Sequence, residues 1–394
     1  MVGWMNEIRV RAQGKVPVAG GRSTRPAKVS FDDLTFMPAQ LNADAVDYFR
    51  EKINTETIIG KASKHPLKLK MPILLGAMSF GALSESAKIA LAKASSITGT
   101  AANTGEGGML LSERKAADKL IVQYSTGRFG VDDDYLKAGD AVEFKIGQGA
   151  KPGQGGLLPG DKVTEKIAKL RRVPAGMPVH SPPRHLDIHN IKELKERIDW
   201  IRDVTKGKPV ILKIAAGNVE ADVKQAIKAE PDALAIDGMH AGTGAAPLVM
   251  MDNFGIPIIS AIAKARKTMD RLKADQELLA GGGFNSGSDI AKILALGADA
   301  VFMATAPLVA MGCIQCGLCY QGKCPVGITT QDPAFEKKLD PMAAERAANF
   351  LNMCNEEVKM TAGAAGKSNV HDLCRKDLKS LSLIMEKTTG IPII

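Results

Sequence analysis

From Pro72 onward the chain repeats one pattern: a short apolar run, a glycine-rich or polar turn, then a stretch with helical spacing. The apolar runs are Pro72–Ala77, Gly99–Ala102, Leu120–Tyr124, Val142–Ile146, Val210–Ile214, Ala233–Ile236, Leu278–Ala280 and Ala300–Met303. Helical periodicity occupies Ser84–Ser96, Ile188–Val204, Val219–Lys228, Ile258–Leu272 and Ser286–Leu296. Runs this apolar suit strands buried on both faces, as in a parallel sheet covered by helices. Eight of them in succession predict an α/β chain, a (β/α)8 TIM barrel, with an open doubly wound sheet as the other arrangement. Residues 1–70, broken by Gly20, Gly21, Pro26 and Pro38, read as an N-terminal arm wrapping the outside. The barrel is expected over 71–312, a cysteine loop over 313–330 and a helical extension over 331–394. In that extension Met342 to Leu383 reads as two helices on the barrel's outer face.

A chain of 394 residues can bury a large core without disulfides. It has no apolar run of about 20 residues, so no membrane span is expected. Met1 to Lys15 lacks a signal-peptide pattern, and a cytoplasmic location is expected. The net charge of +9 suits a lysine-rich solvated surface, or acidic partners and anionic ligands. Nucleic acid is disfavoured, because aromatics make up 4% of the chain and no basic stripe is interleaved with them.

Glycine-rich segments follow several strands: Gly76–Gly81, Gly105–Gly108, Gly242–Gly244 and Gly281–Gly287. In a barrel such loops gather at the C-terminal face, where active sites form. Gly282 and Gly283, Ala304 and Thr305, and Gly242-Thr243-Gly244 offer free backbone amides there, which suits a flavin or sugar phosphate. Lys145, Gln148 and Lys151 stand at and just beyond a strand end. With Glu106 in its glycine-rich loop and Arg171, they form a candidate clamp for a dicarboxylate.

Four of the six cysteines fall within twelve residues, as Cys313-x2-Cys316-x2-Cys319-x4-Cys324-Pro325. Thiolates this crowded, with Gly317 and Gly322 between them, suit an iron–sulfur core; tetrahedral zinc is the rival. Cys354 and Cys374 read as buried structural thiols.

Gly76-Ala-Met-Ser79, Asn103-Thr-Gly-Glu-Gly-Gly108, Ser125-Thr-Gly-Arg-Phe-Gly130, Gln148-Gly-Ala-Lys-Pro-Gly153, Gly242-Thr-Gly244 and Cys324-Pro-Val-Gly327 occur in that order. Together they resemble the FMN-binding synthase domain of glutamate synthases, from about Phe31 to Leu383. The resemblance implies reduction of 2-iminoglutarate, formed from ammonia and 2-oxoglutarate, by reduced FMN. It implies that Glu106, Lys145, Gln148, Lys151 and Arg171 handle 2-oxoglutarate or the imine. It assigns Ala77, Met78, Ser79, Asn103, Lys213, Gly282, Gly283, Ala304 and Thr305 to FMN, with the Lys213 charge by the flavin N1–O2 edge. The family's three-iron cluster (3Fe-4S) would fall on Cys313, Cys319 and Cys324; the extra Cys316 opens the option of a 4Fe-4S cube.

No segment matches the family's N-terminal cysteine glutaminase or its glycine-repeat β-helix, and no cysteine precedes Cys313. Ammonia is therefore expected from a separate glutaminase subunit, beside a β-helix subunit and a ferredoxin-like or other electron donor. N-methylglutamate synthesis on the same scaffold is an alternative, as is a non-catalytic electron-transfer or assembly role. An FMN-dependent hydroxy-acid oxidation ranks lower, since it usually relies on a His–Arg pair and needs no cluster.

Overall fold

The computed structural model describes residues 4–23, 25, 26 and 28–394. Eight parallel strands form its centre: β1 (Ile73–Leu75), β2 (Ala102–Asn103), β3 (Leu120–Tyr124), β4 (Ala141–Lys145), β5 (Val210–Ala215), β6 (Ala233–Asp237), β7 (Glu277–Gly281) and β8 (Ala300–Met303). From β2 to β8 each pairs with its sequence neighbours, and β8 returns to β1. The Leu75 amide donates to the Ala101 carbonyl at 3.1 Å and closes the ring between β1 and β2. This is the closed (β/α)8 barrel; the open sheet is ruled out by that closure.

Alternation along the strands sorts the side chains. Leu74, Ile121, Ile211, Leu279 and Ala300 point inward and pack with Ile59, Leu67 and Leu69. Those last three belong to a hairpin, Thr57–Ile59 with Leu67–Leu69, that plugs the barrel's N-terminal end. Ile121 is fully buried here, so truncation to Ala would cost about 2–5 kcal/mol. The intervening strand residues, such as Val122, Phe144, Leu212 and Leu278, face the helices in the outer core.

Strand β2 begins later than expected. The preceding helix α1 (Glu85–Thr98) starts on a Ser84 cap and ends at Gly99, whose left-handed backbone (φ 71°) stops the helix and cannot extend a strand. The tail also differs from expectation. A single 22-residue helix, Ala343–Ala364, packs between α1 and the helix Gly287–Ala295, in the eighth helical place of the barrel. The short helix Leu383–Thr389 follows after irregular chain and the strand Leu378–Ser380. Part of the arm is likewise not peripheral: Val18–Gly21 pairs antiparallel with Thr243–Pro247 across the barrel's C-terminal mouth.

An insertion between β4 and the helix Ile191–Val204 holds a two-stranded pair, Leu157–Leu158 with Val179–His180, and the helix Glu165–Arg171. It packs on Phe80 and Leu110 through Leu158, Val163, Ile167 and Val179, which fixes it beside the mouth. No helix among the described residues is long and apolar enough to cross a membrane.

Candidate active site

At the C-terminal ends of the strands the inward positions turn from apolar to polar: Gln123 on β3, Glu143 and Lys145 on β4, Lys213 on β5 and Asp237 on β6. Above them lies a cavity of about 370 Å³. It is bordered by Ala77, Met78, Ser79, Glu106, Lys145, Gln148, Lys151, Arg171, Lys213, Gly242, Thr243, Gly244, Gly282, Gly283, Ala304 and Thr305. Cys313, Cys316 and Cys319 form part of the same wall. Asn103 and Cys324 do not border it. The Asn103 side chain is engaged behind the wall, accepting from the Gly105 amide at 2.9 Å and donating to Glu143 at 3.2 Å.

Burial of Glu106 by itself would raise its pKa, but Lys145 at 3.1 Å and the hydroxyls of Ser181 and Ser125 outweigh this and hold it at about 2. Glu106 is thus an acceptor-only carboxylate, with Lys145 as its counterion. Lys213 has two acid neighbours, Glu143 at 3.7 Å and Asp237 at 3.8 Å. Burial opposes its charge, but the two carboxylates win and raise its pKa. Its charge is therefore compensated by acids from both flanking strands.

Lys151 and Arg171 differ from these two. Neither forms an ion pair with a carboxylate among the described residues, and both are buried. Lys151 donates to the Ala245 carbonyl at 2.7 Å, and burial followed by the nearby Lys145 charge depresses its pKa to about 7. Arg171 donates through Nη2 to the Phe80 carbonyl at 2.8 Å and to Ser79 at 3.2 Å, while its buried Nε has no partner. A Cβ on Gly107 would lie 2.6 Å from that Nε, so glycine there keeps the guanidinium in place. Gln148 donates to Thr243 at 3.4 Å and so faces the β6 loop.

Another part of the cavity wall is glycine. Gly282 and Gly283 have φ of 96° and 95°, and a Cβ on Gly282 would fall 2.8 Å from the Ala241 amide. A Cβ on Gly242 would fall 2.5 Å from the Thr305 hydroxyl. Glycine at these places lets three strand-end loops approach one another beside the cavity.

The cysteine loop follows β8 and the short helix Thr305–Ala310. Cys324 lies close enough to Cys313 and Cys319 to help raise the pKa of each, and Cys313 acts likewise on Cys319, whereas Cys316 is exposed and acts on Cys313 alone of the three. Burial would raise the Cys324 pKa, but amides of Thr329, Val326 and Ile328 turned toward its sulfur lower it. Among the described residues no three His, Cys, Asp or Glu side chains converge tightly enough for one metal ion. Cys354 is buried, with burial pushing its thiol up to about 12, while Cys374 is only half-buried.

Several residues here escaped the reading of the sequence. Glu143, Gln123 and Asp237 carried a usable signal, being polar at alternate positions of otherwise apolar strands. Lys88 carried none: it sits mid-helix in α1, pairs with Glu113 at 2.7 Å and donates to the Asn103 carbonyl at 2.9 Å, tying the first two strand-end loops together. Lys162 is equally hidden, with its Nζ on the carbonyls of Ala82, Cys319 and Thr329.

A closed barrel with a polar, glycine-lined cavity at the C-terminal ends of its strands defines an enzyme of the (β/α)8 class. Solved structures agree on the fold. (S)-Mandelate dehydrogenase superposes with a TM-score of 0.59 at 16% identity, over 89% of this chain and 88% of that one. A mandelate oxidase gives 0.55 at 17%, over 91% and 93%. The family profile described as a conserved region in glutamate synthase matches residues 19–368. The archaeal-type glutamate synthase (NADPH) of Thermotoga maritima is 40% identical over 384 residues, covering 91% of this chain and 76% of that protein. A glutamate synthase large subunit-like protein of Rhizobium meliloti is 37% identical, covering 98% of this chain and 92% of its own. The chain belongs to the glutamate synthase family and is an oxidoreductase.

Proposed function

We propose that this chain is the synthase component of a multi-subunit glutamate synthase, reducing 2-iminoglutarate, from ammonia and 2-oxoglutarate, to L-glutamate. The observation that carries this is a charge count inside the cavity. Lys145 is matched by Glu106, and Lys213 by Glu143 and Asp237. Lys151 and Arg171 remain as two buried cations without an acid, which suits a ligand with two carboxylates. FMN, seated with its phosphate on Gly282, Gly283, Ala304 and Thr305, would supply the hydride.

The chain's own groups do the rest. Lys151 and Arg171, both on the cavity wall, hold the substrate's carboxylates. Glu106 pairs with Lys145 and holds its ammonium at the cavity wall. The apolar plug beneath and the arm strand across the mouth exclude water from the reacting carbon. Cys313, Cys319 and Cys324 would hold an iron–sulfur cluster, since neighbouring thiols too spread for a single ion suit a polynuclear core. In this reading ammonia comes from a glutaminase subunit, a glycine-repeat β-helix subunit completes the assembly, and a ferredoxin-like donor docks on the basic surface. The test is 2-oxoglutarate-dependent oxidation of reduced dye by FMN-loaded protein, run with ammonia, methylamine or glutamine. Glutamate from ammonia supports the proposal. Turnover with methylamine alone would move it to N-methylglutamate synthesis, and no turnover with any amine would refute it.

A further inference from the structure

In the arm segment that crosses the mouth, Arg22 forms no ion pair with a carboxylate among the described residues. On one side of Arg22, Val18–Gly21 is hydrogen-bonded to Thr243–Pro247. On the other, Ser23 Oγ donates to Asp252 at 2.7 Å, and Arg25 contacts Asp252 at 3.7 Å and Asn253 at 3.1 Å. The backbone around Arg22 is therefore pinned from both sides, and its side chain turns into the cavity. Its Nη1 donates to Asn285 Oδ1 at 3.0 Å, and Asn285 in turn donates to the Gly283 carbonyl at 3.3 Å. Arg25, three residues along, is neutralised by a carboxylate; Arg22 touches a neutral amide and keeps its full charge at the edge of the glycine cradle. His240, which also borders the cradle, is kept toward its neutral form by burial and then by the Arg22 charge, so it adds no second cation.

We propose that Arg22 is the cationic ligand of the cofactor phosphate, supplied by the N-terminal arm rather than by a barrel loop. Cofactor binding then fastens the arm over the mouth, because the phosphate charge links Arg22 to Gly282 and Gly283. The idea rests on the FMN reading of the cavity, and it adds a residue that distinguishes FMN from riboflavin, which has the same ring and no phosphate.

The experiment titrates the apo full-length chain with FMN and with riboflavin, following flavin fluorescence, for wild type, Arg22→Gln and Arg22→Lys. Loss of a charge-assisted hydrogen bond should weaken FMN about ten- to a hundredfold and leave riboflavin within about twofold. Arg22→Lys should recover part of the FMN affinity, and added salt should narrow the gap between wild type and Arg22→Gln. Equal weakening of both flavins by Arg22→Gln would show that Arg22 merely holds the arm and would overturn the proposal, as would unchanged FMN affinity. If wild type binds neither flavin, the FMN reading itself falls, and this proposal with it.

Discussion

Replacing Lys151 with methionine should make the protein more stable and less active at once. Lys151 is almost fully buried, and its pKa falls from 10.5 to about 7 through burial and the neighbouring Lys145 charge. That drop corresponds to a destabilisation of roughly 5 kcal/mol by the charged form, at about 1.4 kcal/mol per unit. The sign follows from proton binding. Between about 7 and 10.5 the unfolded chain holds the proton and the folded one does not, so stability rises with pH across that window. The destabilisation is fully present below about 7, and there Lys151→Met, of similar length and uncharged, removes it. With an unfolding entropy of about 2 cal/mol/K per residue, 5 kcal/mol is about 6 °C in Tm for a chain of this size. The lost contact to a substrate carboxylate is worth about 1.5–3 kcal/mol, or a ten- to hundredfold fall in kcat/KM for 2-oxoglutarate. The assay pairs calorimetry at pH 6.5 and pH 9 with steady-state kinetics and flavin content. A lowered Tm with parallel loss of flavin would show that Lys151 serves mainly to hold Ala245. Unchanged kcat/KM with normal flavin would refute its role in binding substrate.

The same titration sets a pH profile: kcat/KM for 2-oxoglutarate should fall as pH rises through about 7, and Lys151→Arg should flatten that limb. Lys213→Met leaves Glu143 and Asp237 buried without their cation, so it should destabilise the fold by about 3–5 kcal/mol in urea melts; a change below about 1 kcal/mol would show that water or a proton replaces the lysine. Cys319→Ser should abolish iron and acid-labile sulfide in anaerobically prepared protein, whereas Cys316→Ser should leave both in place. Equal loss in the two variants would make Cys316 a ligand, and zinc without sulfide in the unsubstituted protein would remove the cluster altogether.

The eight strands, the glycine loops after them and the cysteine spacing were legible in the order of residues, because each is a local pattern. A buried strand must be apolar over its own length, a left-handed turn needs glycine at its own position, and ligating thiols must be close along the loop. The polar inner layer was half legible: Lys145 was singled out, while Glu143, two residues earlier on the same face, was passed over. What the local pattern did not contain was the partner of each charge. Glu106 meets Lys145 from a different loop, and Lys213 meets acids from the two flanking strands, only because barrel closure brings those strand ends to one radius. The same closure left Lys151 and Arg171 without acids. It also seated Val18–Gly21 on Thr243–Pro247, more than two hundred residues away, and placed Ala343–Ala364 in the eighth helical position after the long detour of the cysteine loop. Periodicity records which face of an element is buried; which other element covers that face is settled by long-range packing, and that is where this cavity acquired its charge and its lid.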